Sequence, residues 1–247
     1  MEDNTPDTET GEKRSRGKAV RAMAVSLILP CVLYAAIIAA AGDRIFPFSK
    51  VPPGREYRAA LAIRDDVIPF FKWGTLLFTK RHLQKFYGAS WYFTQARRGD
   101  GEAEFVSALT EALEHYSAVD LYLLAHTNKY LNWLEPLPET LRRRLRFVYN
   151  TGCHNQGQGQ DWLALGADTY IGHPGKSQSP FFYFFLLRHW LHGASLGEAL
   201  EIGNRGMETK FRQVEWLSGG RYDAGHALRE SLASCLGNER LRLEDLP

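Results

Sequence analysis

A chain of 247 residues with 45% hydrophobic and 13% aromatic content holds enough apolar material for one substantial core, and this composition excludes long-range disorder and repeat arrays. A net charge of +2 is too balanced for a dedicated nucleic-acid binder, whose basic residues gather on one face. The basic runs at 13–16, 97–98 and 142–144 read as a membrane flank and as solvated faces, so no nucleic-acid partner is expected.

Residues 1–21 are polar and charged without apolar periodicity, and read as a disordered tail. Residues 22–42 carry no charge, and about twenty such residues at ~1.5 Å rise cross a hydrocarbon core of ~30 Å. The expectation is one transmembrane helix, kinked at Pro30. The basic residues before it favour a cytoplasmic N-terminus and an extracytoplasmic domain. The alternative is secretion after cleavage at the small residues Ala39, Ala40 and Ala41, although the run is longer than a signal's usual ~7–15 apolar residues. Residues 43–56, with Pro47, Pro52, Pro53 and Gly54, read as a linker, and the domain is expected over 57–247.

Within the domain, 73–79 reads as a buried strand and 81–87 as helical. Residues 90–95 are rich in β-formers, 96–101 have loop composition, and 102–116 place Phe105, Leu109, Leu113 and Tyr116 on one helical face. With the apolar run 119–125 this makes a βαβ unit, hence a parallel sheet. A crossover with a helix begun by Pro138 leads to a second run, 145–149. A loop, a short helix at 162–165 and a strand at 168–172 follow. Residues 181–191 read as a buried helix stopped by Gly193, Ser195 and Glu198 as a capping box, and 224–236 as a last amphipathic helix. The predicted class is an α/β sandwich with a mostly parallel sheet.

Each of two strand-length runs stops at a residue that can do chemistry, the first at His126 and the second just short of Cys153. Reacting groups in open α/β sheets collect outside the carboxyl ends of parallel strands, and a thiol beside an imidazole is an activated nucleophile. Cys153 also lies among polar residues, 150–155, rather than in an apolar run. His173, ending the next strand, is a second imidazole able to face the same crevice, and His154 points elsewhere. The three cysteines, Cys31, Cys153 and Cys235, make no disulfide framework; one Cys153–Cys235 bridge is open to an extracytoplasmic domain and would silence the nucleophile.

Other chemistries find less support. The position six beyond Cys153 is Gly159, not the arginine a cysteine phosphatase needs, and no Cys-x-x-Cys, Gly-x-Ser-x-Gly or phosphate-loop lysine occurs. His189 and His192 lack partners that would complete a metal site, so neither metal nor cofactor is expected. Asp161 reads first as the N-cap of its helix and second as a charge beside a substrate pocket. The loop 156–160 reads as a substrate loop or a turn.

The block from Val119 to about Asn204 resembles the caspase-like fold of cysteine peptidases, and within it the CHAT-domain proteins. The likeness rests on the strand ending in His126, the strand ending near Cys153, the approach ALGADTYIGH, and the aromatic helix, Gly break and Glu-Ala helix of FFYFFLLRHWLHGASLGEAL. It implies a three-layer α/β sandwich with a Cys–His dyad acting on protein or peptide substrates. Cys153 is then the nucleophile, His126 the general base and acid, and the Cys153 N–H an oxyanion donor, with Thr127, Gly152 and Asp161 beside the substrate. The chain departs from the family at Thr127, where glycine is usual after the histidine, at Gly152 before the thiol, and in its short crossover. These departures leave a rival reading: a catalytically inactive domain of the same fold serving as a membrane-bound interaction or assembly module.

Overall fold

The computed structural model describes residues 51–64, 69–94, 101–124, 129–177 and 182–246, all within the compact unit Lys50–Pro247. The predicted tail and membrane segment, the first part of the linker and Cys31 lie outside these residues. Among the described residues no helix is long and apolar enough to cross a membrane.

Among the described residues six strands form one sheet in the order β2-β1-β3-β4-β5-β6. They are β1 (Arg58–Arg64), β2 (Ala89–Thr94), β3 (Ala118–Leu124), β4 (Leu145–Asn150), β5 (Thr169–Gly172) and β6 (Ser234–Gly237). The first five are mutually parallel, and β6 adds antiparallel to β5. The helices are α1 (Pro69–Phe86), α2 (Glu102–His115), α3 (Lys129–Leu134), α4 (Glu139–Arg142), α5 (Gly159–Leu165), α6 (Arg188–Leu191), α7 (Leu196–Leu217) and α8 (Ala224–Ser231), with a π segment Tyr183–Leu187 leading into α6.

Alternation along the strands builds a core on each face. Ala60, Ala62, Tyr122, Phe147, Tyr149 and Ile171 meet α1, the π segment, α6, α7 and α8 on one face. Ala59, Leu61, Ile63, Val119, Leu121, Leu123 and Val148 meet α2, α3 and α5 on the other. The expected α/β class with a mostly parallel, helix-flanked sheet is therefore present.

Several expectations need correction. Residues 73–79 are the middle of α1, not a strand: a seven-residue apolar run fits either period, and here an 18-residue helix covers the sheet. The strand between 57 and 73 that the sequence reading missed is β1, between β2 and β3. The unit β2–α2–β3 is parallel, as expected, but its strands are separated by β1. The last helix stops at Ser231 rather than reaching 236, because residues 234–237 pair with the open edge of β5. Val51–Gly54, in the predicted linker, is bound to the domain: the Arg58 guanidinium donates to the carbonyls of Pro53 at 2.8 Å and Pro52 at 3.3 Å.

Candidate active site

The two strands singled out by their ends are neighbours. β3 pairs in parallel with β4 from Val119 and Leu145 to Leu123 and Asn150, so their carboxyl ends open on the same edge. β3 ends at Leu124; His126 and Thr127 lie outside the described residues. Beyond β4 the loop 151–155 carries Cys153, which is half-buried, between the buried Gly152 and the exposed His154.

This loop is fixed at nearly every residue. Thr151 N and Oγ1 donate to Leu123 O at 2.8 and 3.1 Å, which extends the β3–β4 ladder past its last strand residue. Gly152 N donates to Asn150 Oδ1 at 3.0 Å. His154 takes a positive φ of 55°, a conformation that reverses the chain after the thiol, and its N–H donates to Gly175 O at 2.9 Å. Asn155 closes the turn: Nδ2 donates to Asn150 O at 3.0 Å and Gly152 O at 2.9 Å, while Oδ1 accepts from His173 N at 2.9 Å. The turn approaches β5 so closely that a Cβ on Gly172 would sit 2.8 Å from Asn155 Oδ1, a distance only glycine accommodates.

His173 does not face the mouth. It is fully buried, stacked on Tyr149 and edge-on to Phe182. Since a carbonyl only accepts, the proton sits on Nδ1, which donates to Ser231 O at 2.7 Å. Burial pushes this imidazole down to about 4, against the pull of the Ser231 bond, so it is neutral at neutral pH.

Asp161 is not an N-cap. It is the third residue of α5, exposed, and no side chain caps that helix, whose preceding residue is Gln158. A carboxylate in a first turn gains from the helix dipole without capping, which is the local signal the sequence reading met. The 156–160 loop is a 3₁₀ turn, Gln156–Gln158, running into α5, and a Cβ on its buried Gly159 would come within 3.0 Å of Leu236 and Tyr170. Cys153 and Cys235 are both half-buried and form no disulfide; burial, with Glu239 adding to it, pushes the Cys235 thiol up to about 12. Among the described residues no three His, Cys, Asp or Glu side chains cluster as metal ligands.

The sequence reading missed the residues that hold the loop, the Asn155 amide from within and Tyr183 from outside, and it missed Arg64, which bonds Tyr122 and Thr79 beside them. Tyr183 Oη donates to Leu123 O at 2.8 Å, joining Thr151 on that carbonyl. A signal for Arg64 was available, since it too ends an apolar strand. Comparison of the chain with protein-family models, curated proteins and solved structures finds no match.

Proposed function

We propose that the domain is a caspase-like cysteine peptidase, held at a membrane by residues 22–42, that cleaves protein or peptide substrates through Cys153 and His126. One observation carries this reading: Cys153 sits in a clamped polar loop just past the carboxyl end of β4, whose parallel neighbour β3 runs toward His126. In the proposed reaction the thiol proton passes to the imidazole and sulfur attacks the scissile carbonyl. The tetrahedral intermediate collapses with cleavage of the C–N bond as the imidazole returns the proton to the leaving amine. Water then hydrolyses the thioester and restores the thiol.

A thiol-directed probe at neutral pH tests the dyad. Cys235, pushed up to about 12, stays protonated and slow. The expected result is stoichiometric labelling of Cys153 that falls about tenfold or more in His126→Ala, together with loss of peptidase activity in Cys153→Ala. Equal labelling rates in wild type and His126→Ala argue for the inactive interaction module.

A further inference from the structure

The chain leaves β1 toward β2 but leaves β3 toward β4, so the winding reverses between these two adjacent strands, and α1 and α2 cover opposite faces. In open α/β sheets the crevice outside the carboxyl ends at such a reversal is where ligands gather. Arg64 is the last residue of β1 at this point and is fully buried.

Among the described residues its guanidinium is held by neutral groups. One terminal nitrogen donates to Ile63 O at 2.9 Å and Tyr122 O at 2.8 Å, and the other to Thr79 Oγ1 at 3.1 Å. Its Cζ lies 4.6 Å from the ring centre of Tyr183 and 5.1 Å from that of Tyr92, and Nε has no partner. Among the described residues no carboxylate pairs with it. Arg146, equally buried, is neutralised by Asp120 through two bonds of 2.9 and 2.6 Å. A guanidinium is always charged, and burying one against dipoles alone is costly. Tying β1 to β3 needs donors, not a charge.

The charge is three contacts from the thiol loop. Tyr183, whose ring lies under Arg64, donates to Leu123 O, the carbonyl that also takes Thr151 N and Oγ1, two residues before Cys153. Burial pushes the Tyr183 phenol up, and the Arg64 charge and a hydrogen bond with Thr151 pull against it.

We propose that Arg64 is a positioning residue for Cys153, its charge at the strand reversal, unpaired with any carboxylate among the described residues, favouring anionic sulfur over neutral thiol. This rests on Cys153 being the nucleophile. Among the described residues the other titratable or charged groups on the surrounding segments include His154, Tyr170, His173, Lys176 and Glu230 near the thiol loop, and Tyr92, Tyr122, Tyr149 and Tyr183 near Arg64; the Arg64 and Thr79 variants below leave all of them in place.

The test is the rate of Cys153 alkylation by iodoacetamide against pH in the full chain, read by peptide mass. Arg64→Met is expected to raise the half-maximal pH by on the order of one unit, about a tenfold slower reaction at neutral pH. Arg64→Lys keeps the charge and the wild-type profile. Thr79→Asp sets a carboxylate against the guanidinium, cancels its charge in place and shifts the profile upward as Arg64→Met does. An unmoved profile in folded Arg64→Met or Thr79→Asp overturns the proposal. His126→Ala, run in parallel, reports on the dyad separately: no change there sinks the dyad and leaves the Arg64 result standing. No alkylation of the wild-type chain at any pH rejects both.

Discussion

Asn155 and His173 show how single side chains fix the loop that carries the thiol. Asn155 spends both ends of its amide on backbone, and His173 supplies the two main-chain groups that the turn needs, its N–H to Asn155 Oδ1 and its carbonyl to Asn155 N at 3.0 Å. The imidazole has a different consequence, because burial pushes it down to about 4 while an unfolded histidine titrates near ~6.5. Between those values the unfolded chain binds the extra proton. The stability contributed by neutral His173 is therefore complete above pH ~6.5 and is lost as pH falls toward 4, by about 2 kcal/mol between pH 7 and 5. Urea denaturation at the two pH values measures it. In His173→Gln, whose amide still donates to Ser231 O, that part of the pH dependence should vanish, leaving the parts due to His82, which burial also pushes to about 4, and to His189 and His192, which burial lowers too. An identical pH dependence in variant and wild type would falsify this account.

At the scale of the element, α7 is started by local chemistry that the sequence displays. Ser195 Oγ accepts from Glu198 N at 3.3 Å and Glu198 Oε2 accepts from Ser195 N at 2.7 Å, the capping box expected from the spacing. Ser195→Ala removes one half of it and should cost about 1 kcal/mol, read as a lower denaturation midpoint with an unchanged slope. The π segment before α6 answers to its neighbours instead. A Cβ on Gly206 of α7 would lie 3.0 Å from the Phe185 ring, so glycine lets α7 close onto the widened turn that brings Tyr183 to Leu123 O. The strand expected at 73–79 failed for a related reason: Thr75 and Thr79 are buried one turn apart on α1, and Thr79 faces Arg64, a partner no window of seven residues contains.

Across the whole molecule, the amino ends of the central strands are held by a buried polar cluster. Asp120 on β3 takes Arg146 from β4 and the Tyr87 hydroxyl at 2.6 Å; Tyr87 meets the Tyr122 hydroxyl at 2.6 Å, and Trp190 Nε1 donates to Tyr122 at 3.2 Å. Arg146 continues to the carbonyls of Leu243 and Asp245, and Arg58 also reaches Leu243 O, so the C-terminal segment is tied beneath the sheet. Burial by itself would lower the Arg146 pKa, but Asp120 raises it above the ordinary value. Asp120→Asn strands that cation in the interior and should destabilise the domain by roughly 3–5 kcal/mol in chemical denaturation. The paired variant Asp120→Leu with Arg146→Met should recover most of the loss. A single variant as stable as wild type would show that the cluster is not what joins the strands to the C-terminal segment.

The sequence alone determined the parallel α/β class, β2 to β5 within a residue or two, the helix 102–115, the stop at Gly193 and the capping box. These features are written in periodicity and in hydrogen bonds between residues a few positions apart. It also identified β3 and β4 as strands leading toward His126 and Cys153. Tertiary structure decided the rest. Alanine-rich RAALAIR became a central strand because β2 and β3 pair with its two edges and a helix-covered core lies on each of its two faces, and 234–237 became a strand because β5 offered an open edge. Whether an arginine is a solvated charge or a buried one depends on partners far along the chain, as when Arg58 finds Leu243 and Arg64 finds Tyr122 and Thr79. Charge compensation is a property of the assembled interior, where a low dielectric makes every missing partner count, and no local pattern of residues encodes it.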